Sequence, residues 1–309
     1  MSEAQSGILA ALPPQARFLL LQLKPSVDIE GLKQALAQLQ TMANGDELVV
    51  GFGLPVFAVL NQQLPGLTTG PVIPKSLVPL AHKEAALWCW LRGNDRGDLL
   101  RLEHQLCRVL DSCFDVVSSI DAFVYKEGRD LTGYEDGTEN PEGDEAAHTA
   151  LVSSEQARTL SQQTSLSTSA YIGGSYVAVQ QWLHDFKAFD ALDQMSKDHT
   201  IGRRLSDNEE IDDAPITAHV KRTEQEGFEP EAFVLRRSMP WTAGAKAGLV
   251  FVAFGHSLDA FERMLTRMSG AEDGHIDALF SISKPIASSY FWCPPVIQGR
   301  INLTCLGLN

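Results

Sequence analysis

Cysteine is scarce in this chain and follows no pairing pattern. There are five, an odd number, with no Cys-x-x-Cys spacing. That argues against a disulfide framework and reads as reduced thiols in a cytosolic protein. Long apolar runs are missing, and the longest fall far short of a membrane span. The first residues, MSEAQSGILAALPPQ, carry no basic segment and no long apolar one, so no secretory signal is expected. Positive charge is also in short supply. Lys and Arg number 25 against 39 Asp and Glu, a net charge of −14, which is the wrong sign for attraction to nucleic acid or anionic lipid. No basic run with interleaved aromatics offsets it, so neither a nucleic acid nor a membrane is expected as a partner.

What is present is the composition of a folded protein, 44% hydrophobic and 21% charged, over 309 residues. That length suffices for one large domain or two of ordinary size. RFLLLQLK (17–24) reads as a strand, and Ile29, Leu32, Leu36, Leu39 and Ala43 stripe one face of a helix. LVVGFG (48–53) is a second strand. The order then recurs: ALWCWLRG (86–93) is a strand, Leu99, Leu102, Leu106, Val109 and Cys113 stripe a helix, and VVSSIDAFVYKE (116–127) is a strand. Strand–helix–strand twice over is the ferredoxin-like plan, an antiparallel sheet with helices on one face.

From 128 to 170 the regular pattern fails, and the stretch reads as a long surface connection. A second set follows, with strands at 173–185, 233–241, 248–257 and 279–292. A polar helix runs over 186–199, and Leu258, Phe261, Leu265 and Met268 stripe another. The expectation is an α+β protein of two ferredoxin-like domains, residues 1–145 and 171–309, joined by a connecting loop at 146–170.

Seven histidines, His82, His104, His148, His184, His199, His256 and His275, have no partner at ligand spacing and read as surface or packing residues. His104 and Cys107 lie one helical turn apart with Cys113 further on. A zinc site is conceivable there, but a buried amphipathic helix accounts for the cysteines better. His219, in PITAHVKRTE, lacks a second histidine at close spacing, yet one histidine suffices as the axial ligand of a haem iron. Arg236 and Arg237 interrupt an apolar strand, and alternation turns one of them inward with Val234 and Ser238. An inward arginine needs a carboxylate, a phosphate or a polar ligand, and a structural ion pair would serve equally. Arg203, in HTIGRR, reads as a cation at a helix end. GYEDGTENPEGDE (133–145) crowds six carboxylates, three glycines and a proline into thirteen residues. Taken alone, that is turn chemistry.

GYEDGTENP nevertheless matches the G-x-x-D-G signature of the dye-decolorizing peroxidases. RDLTGYEDGTENP (129–141), GGSYVAVQQW (173–182), IGR (201–203), TAHVKR (217–222) and LRRSMP (235–240) follow in order. Together they resemble the bacterial intracellular branch of that family over residues 5 to 295. The resemblance implies a dimeric α+β barrel and a haem b enzyme. Such an enzyme reduces hydrogen peroxide and oxidises phenolic or dye-like reductants through a high-valent iron-oxo intermediate. It gives His219 the place of the proximal iron ligand and Asp277 that of its acidic partner. Asp136 takes the distal acid–base position and Arg236 that of the distal arginine. Arg203 resembles a haem-propionate contact, and Ser238, Gly137 and Thr138 join the cofactor-binding set. A homodimer or larger assembly in the cytoplasm is implied. Docking of the C-terminal tail in an encapsulin shell occurs in some members, although a packed terminus fits GRINLTCLGLN better. Trp241 stands where a tyrosine is common. Tyr125, Tyr134, Trp182, Trp241 and Trp292 could pass electrons by residue type, but packing is preferred for all five. The same His219 and Arg203 would also serve a haem- or porphyrin-handling protein with little peroxidase turnover. A non-haem module using these residues in ion pairs is a third reading.

Overall fold

Period-two burial builds the first half of the molecule. In β1 (Gln15–Leu23), Leu19 and Leu21 join a core with Leu32, Leu36 and Leu39 of α1 (Ile29–Met42), while Phe18 and Leu20 enter a separate core behind the strand. Asp28 starts α1 by accepting from Gly31 N at 2.9 Å. With β2 (Leu48–Phe52), β3 (Leu87–Gly93), α2 (Arg96–Leu110, capped by Asp95) and β4 (Phe114–Phe123), the order is β4-β1-β3-β2, all antiparallel. The computed structural model describes residues 2–308.

Next come α3 (Gly143–Ala150) and α4 (Ser154–Thr164), where the sequence reading expected an irregular connection. Their apolar content is low, and α4 buries only Ala157 fully, so hydrophobic periodicity gave little signal. The local signal was a capping box, in which Ser153 accepts from Gln156 N and Gln156 reaches back to Ser153 N.

The second half repeats the plan. It contains β5 (Ser175–His184), α5 (Gln194–Ile201), α6 (His219–Thr223), β6 (Met239–Ala243), β7 (Lys246–Gly255), α7 (Asp259–Met268) and β8 (Ser283–Cys293). Its order is β8-β5-β7-β6, and the short strand Leu235–Arg236 also pairs with β7. The halves join through Trp292↔Phe52 between β8 and β2 and Ala122↔Trp241 between β4 and β6. Among the described residues, these eight strands close into a barrel of two ferredoxin-like sheets. Closure leaves these strands no free edge. Phe18, Trp88, Trp90, Phe254 and Phe291 fill its interior, with ring centroids 5.9 to 6.4 Å apart.

The C-terminal stretch pairs with the N-terminal one, Ser2↔Ile297 and Glu3↔Val296, and Ile301, Leu303, Cys305 and Leu306 are buried. That agrees with the packed terminus preferred from the sequence. Tyr134, Trp182, Trp241 and Trp292 are buried, as the packing reading of the aromatics expects.

The halves differ in one respect that matters. In the first, α1 and α2 lie directly on the sheet. In the second, outward residues of β5 and β7 and inward residues of α6 and α7 line a cavity between the two layers.

Candidate active site

Even-numbered residues of β5 (Gln180, Trp182 and His184) and odd-numbered residues of β7 (Leu249 and Phe251) form one wall of this cavity. Phe261, Met264, Leu265 and Met268 of α7 form another, with His219 and Val220 of α6 beside them. The loop at 130–139 reaches over from the first half and completes the enclosure. The cavity holds about 1320 Å³ of atom-free space, mouth included.

His219 begins α6, and its Nδ1 lies 2.7 Å from Asp277 Oδ2. Asp277 is fully buried and is fixed in turn, because its Oδ1 accepts from Leu279 N at 2.8 Å. With Nδ1 engaged, the ring's other nitrogen is left for a ligand. Among the described residues, no group of three or more His, Cys, Asp and Glu side chains could hold a metal ion. A metal at His219 would therefore need its other donors from outside these side chains. Of the residues weighed for a zinc site, Cys113 packs in the apolar core.

Asp136 follows a tight loop in which Asp130 N donates to Tyr134 O and Asp136 N to Gly128 O. Gly133 and Gly137 have φ of 95° and 86°, a region that a side chain makes costly, so the DG and TG steps are backbone requirements. Arg236 Nη1 stands 4.0 Å from Asp136 Oδ1, and its Nε is buried without a hydrogen-bond partner among the described residues. Burial pushes the Asp136 carboxyl above the ordinary aspartate value, against the opposing pull of Arg236. About 25% of its side chain stays accessible, and that surface faces the cavities it borders rather than the open exterior.

Arg203 lines the same cavity and is held by Glu139, with Glu210 at 3.6 Å and Asn208 O at 3.1 Å. Gly137 and Thr138 line it too, and Thr138 Oγ1 accepts from Asn208. Ser238 sits apart from the large cavity but beside Asp136 and Arg236. Alternation does put it on the face of Val234 and Arg236, but two residues past Arg236 the strand has left the large cavity. Ser238 lines a smaller space of about 520 Å³ that Asp136, Gly137 and Arg236 also border.

Two features escaped the sequence reading. His184, read as surface or packing, is buried on the cavity wall, with Asp130 on Nε2 at 2.9 Å and Ser283 on Nδ1 at 2.8 Å. Asn140 clamps the Arg236 backbone, donating to its carbonyl at 2.9 Å and accepting from its N–H at 2.8 Å. The Asn-Pro of the motif marked the position but not the contact. A single histidine with an acid behind it, an apolar slot, a mouth arginine and an unsatisfied guanidinium nitrogen together fit a flat, carboxylate-bearing tetrapyrrole.

Residues 127–298 match the family profile described as Dyp-type peroxidase, C-terminal. A dye-decolorizing peroxidase from Rhodococcus erythropolis is 29% identical over 293 residues, which cover 86% of this chain and 77% of that protein. One from Mycolicibacterium paratuberculosis is 30% identical over 222 residues, covering 65% and 58% respectively. Among solved structures, DyPB from Rhodococcus jostii superposes with a TM-score of 0.78 at 25% identity, over 93% of this chain and 95% of that one. A variant of that protein in complex with heme gives 0.75 at 26%, over 93% and 94%. A dye-decolorizing peroxidase from Bacteroides thetaiotaomicron, 23% identical, shares the fold with a TM-score of 0.81 over 99% and 98%.

Proposed function

This chain belongs to the Dyp-type peroxidase family, an oxidoreductase family, and we propose that it binds haem b and uses it to reduce hydrogen peroxide at the expense of phenolic or dye-like reductants. The observation that carries the reading is that His219, backed by Asp277, and the Asp136–Arg236 pair border one cavity. His219 would hold the iron and Arg203 would face a haem carboxylate, for which a guanidinium is the suited donor. Glu139, now paired with Arg203, would share or yield that position. Bound haem would supply the redox-active iron and the store of oxidising equivalents.

The chain supplies the rest. Asp277 fixes the ring of His219 and strengthens it as a donor. Asp136 takes a proton from one peroxide oxygen and returns it to the other, so that water can leave. Arg236, held in place through Asn140, stabilises negative charge as it develops on those oxygens. A homodimer or larger assembly in the cytoplasm is part of the proposal, and the five free thiols support a reducing compartment. An encapsulin shell would have to recognise a surface other than the buried side chains of Ile301, Leu303 and Leu306.

The test is the absorption spectrum of the chain supplied with haemin. A Soret band is expected in wild type and should be lost or shifted in His219→Ala; an unaltered band overturns the assignment. Stopped-flow mixing of the loaded chain with peroxide then separates a peroxidase from a haem-handling protein. Arg236→Ala is expected to slow that reaction by about 10²–10³-fold.

A further inference from the structure

One polar chain in the cavity wall is left unused by the reaction as derived. Asp130 Oδ1 lies 2.9 Å from His184 Nε2, and His184 Nδ1 lies 2.8 Å from Ser283 Oγ. Asp130 Oδ2 accepts from the Thr132 backbone at 3.0 Å and from its hydroxyl at 2.6 Å. All four residues line the large cavity, and the His184 side chain keeps only 6% of its surface accessible. A carboxylate and an imidazole placed in so apolar a wall, with every polar atom engaged, are expensive to bury and call for a function.

The loop supplies the geometry. Asp130 N pairs with Tyr134 O and Asp136 N with Gly128 O, so Asp130 and Asp136 sit two ladder positions apart on one small hairpin, and both side chains reach the same cavity. The other charged groups around that cavity are Glu135, Glu139, Arg203, His184, His219 and Arg236. Arg129 and Arg237 border the smaller one. Most are paired off: Arg203 with Glu139, Arg129 with Glu135 at 2.8 Å, and Arg237 with the carbonyls of Ile8, Leu9 and Arg236. Asp130 is partnered as well, by the imidazole of His184, yet it is the loop carboxylate whose charge bears on Asp136.

We infer that Asp130, clamped by His184 and Thr132, is a positioning residue that holds negative charge beside Asp136 and so sets the pH at which Asp136 gives up its proton. The inference rests on Asp136 being the proton carrier of the proposed reaction. Electrostatics agree with the geometry. Burial alone would push the Asp130 carboxyl up, but its bonds to His184 and Thr132 outweigh that and lower it, so Asp130 stays ionised. Its charge is among the causes that raise Asp136, after burial. A like charge nearby disfavours the ionised form of a carboxyl and so raises it.

Two measurements on the full chain test this. One is the carboxyl ¹³C titration of Asp136 without haem, assigned by the signal lost in Asp136→Asn. The other is the pH profile of the peroxide reaction with haem bound. Asp130→Asn is expected to lower the Asp136 midpoint by about half a unit or more, and Asp130→Glu, which keeps the charge but disturbs the clamp, to retain it. A merely structural role predicts that both variants behave alike, and that result, or an unmoved ¹³C midpoint in folded Asp130→Asn, overturns the inference. A ¹³C shift with an unmoved rate profile supports the inference and instead overturns Asp136 as the proton carrier.

Discussion

At the scale of single residues, the proposed role puts opposed demands on Asp136. As a proton carrier it would have to ionise, and burial opposes ionisation here. Its folded proton affinity lies above that of the unfolded chain, near ~4 for aspartate. The folded state therefore holds the extra proton between those two values. Stability associated with Asp136 is full below the unfolded value and is lost as pH rises through the folded one. Asp136→Asn removes that loss. The haem-free variant should melt about 2 °C or more above wild type at pH 7 and alongside it at pH 4, as measured by calorimetry. The same substitution should slow the peroxide reaction by about 10²–10⁴-fold. In wild type the acid limb of turnover should lie above that of an ordinary aspartate, with activity favoured at mildly acidic pH. A limb at or below ~4 would contradict the burial argument.

At the scale of elements, the loop from Gly128 to Asn140 does what a strand would do with fewer residues. The Asn140 side chain makes both backbone hydrogen bonds that a neighbouring strand would give Arg236, and so fixes the separation of Arg236 and Asp136. Asn140→Ala removes the side-chain partner of the part-buried Arg236 N–H and leaves its carbonyl only Arg237 Nη1 at 3.2 Å, at a cost of about 1–3 kcal/mol. Urea denaturation should show that loss. The peroxide rate should fall more than haem affinity does, since His219 is untouched. These contacts were invisible in sequence because an asparagine in a turn has many uses. The capping box at Ser153 and Gln156 was legible, but the weak apolar stripe of the helix it starts concealed it.

At the scale of the whole molecule, the barrel joins its halves through two thin seams and one shared aromatic interior. Trp88 stacks on Phe18 and Phe291 from opposite halves, so Trp88→Ala should cost about 3–5 kcal/mol and destabilise both halves together. Coincident unfolding by tryptophan fluorescence and far-ultraviolet circular dichroism is the check, and separated transitions would mean that the halves are independent. Haem bound by the folded chain alone should raise the midpoint with concentration, adding about 2.7 kcal/mol of stability at a hundredfold excess over its dissociation constant.

The sequence by itself determined the alternation that makes the strands, the stripes of α1, α2 and α7, the doubled ferredoxin-like order, and the positions of His219, Asp136, Arg236 and Arg203. These follow from short-range periodicity, or from motifs whose order survives divergence. Only the tertiary structure decided that the sheets close on each other, that the second half keeps a cavity where the first is packed, and that Ser238 falls behind the Asp136–Arg236 pair. It alone brought His184, fifty-four residues from Asp130, onto the wall beside that aspartate. The physical reason is range: a side chain's backbone conformation is set by its neighbours in sequence, but its partner and its solvent are set by residues that meet only after the chain has closed.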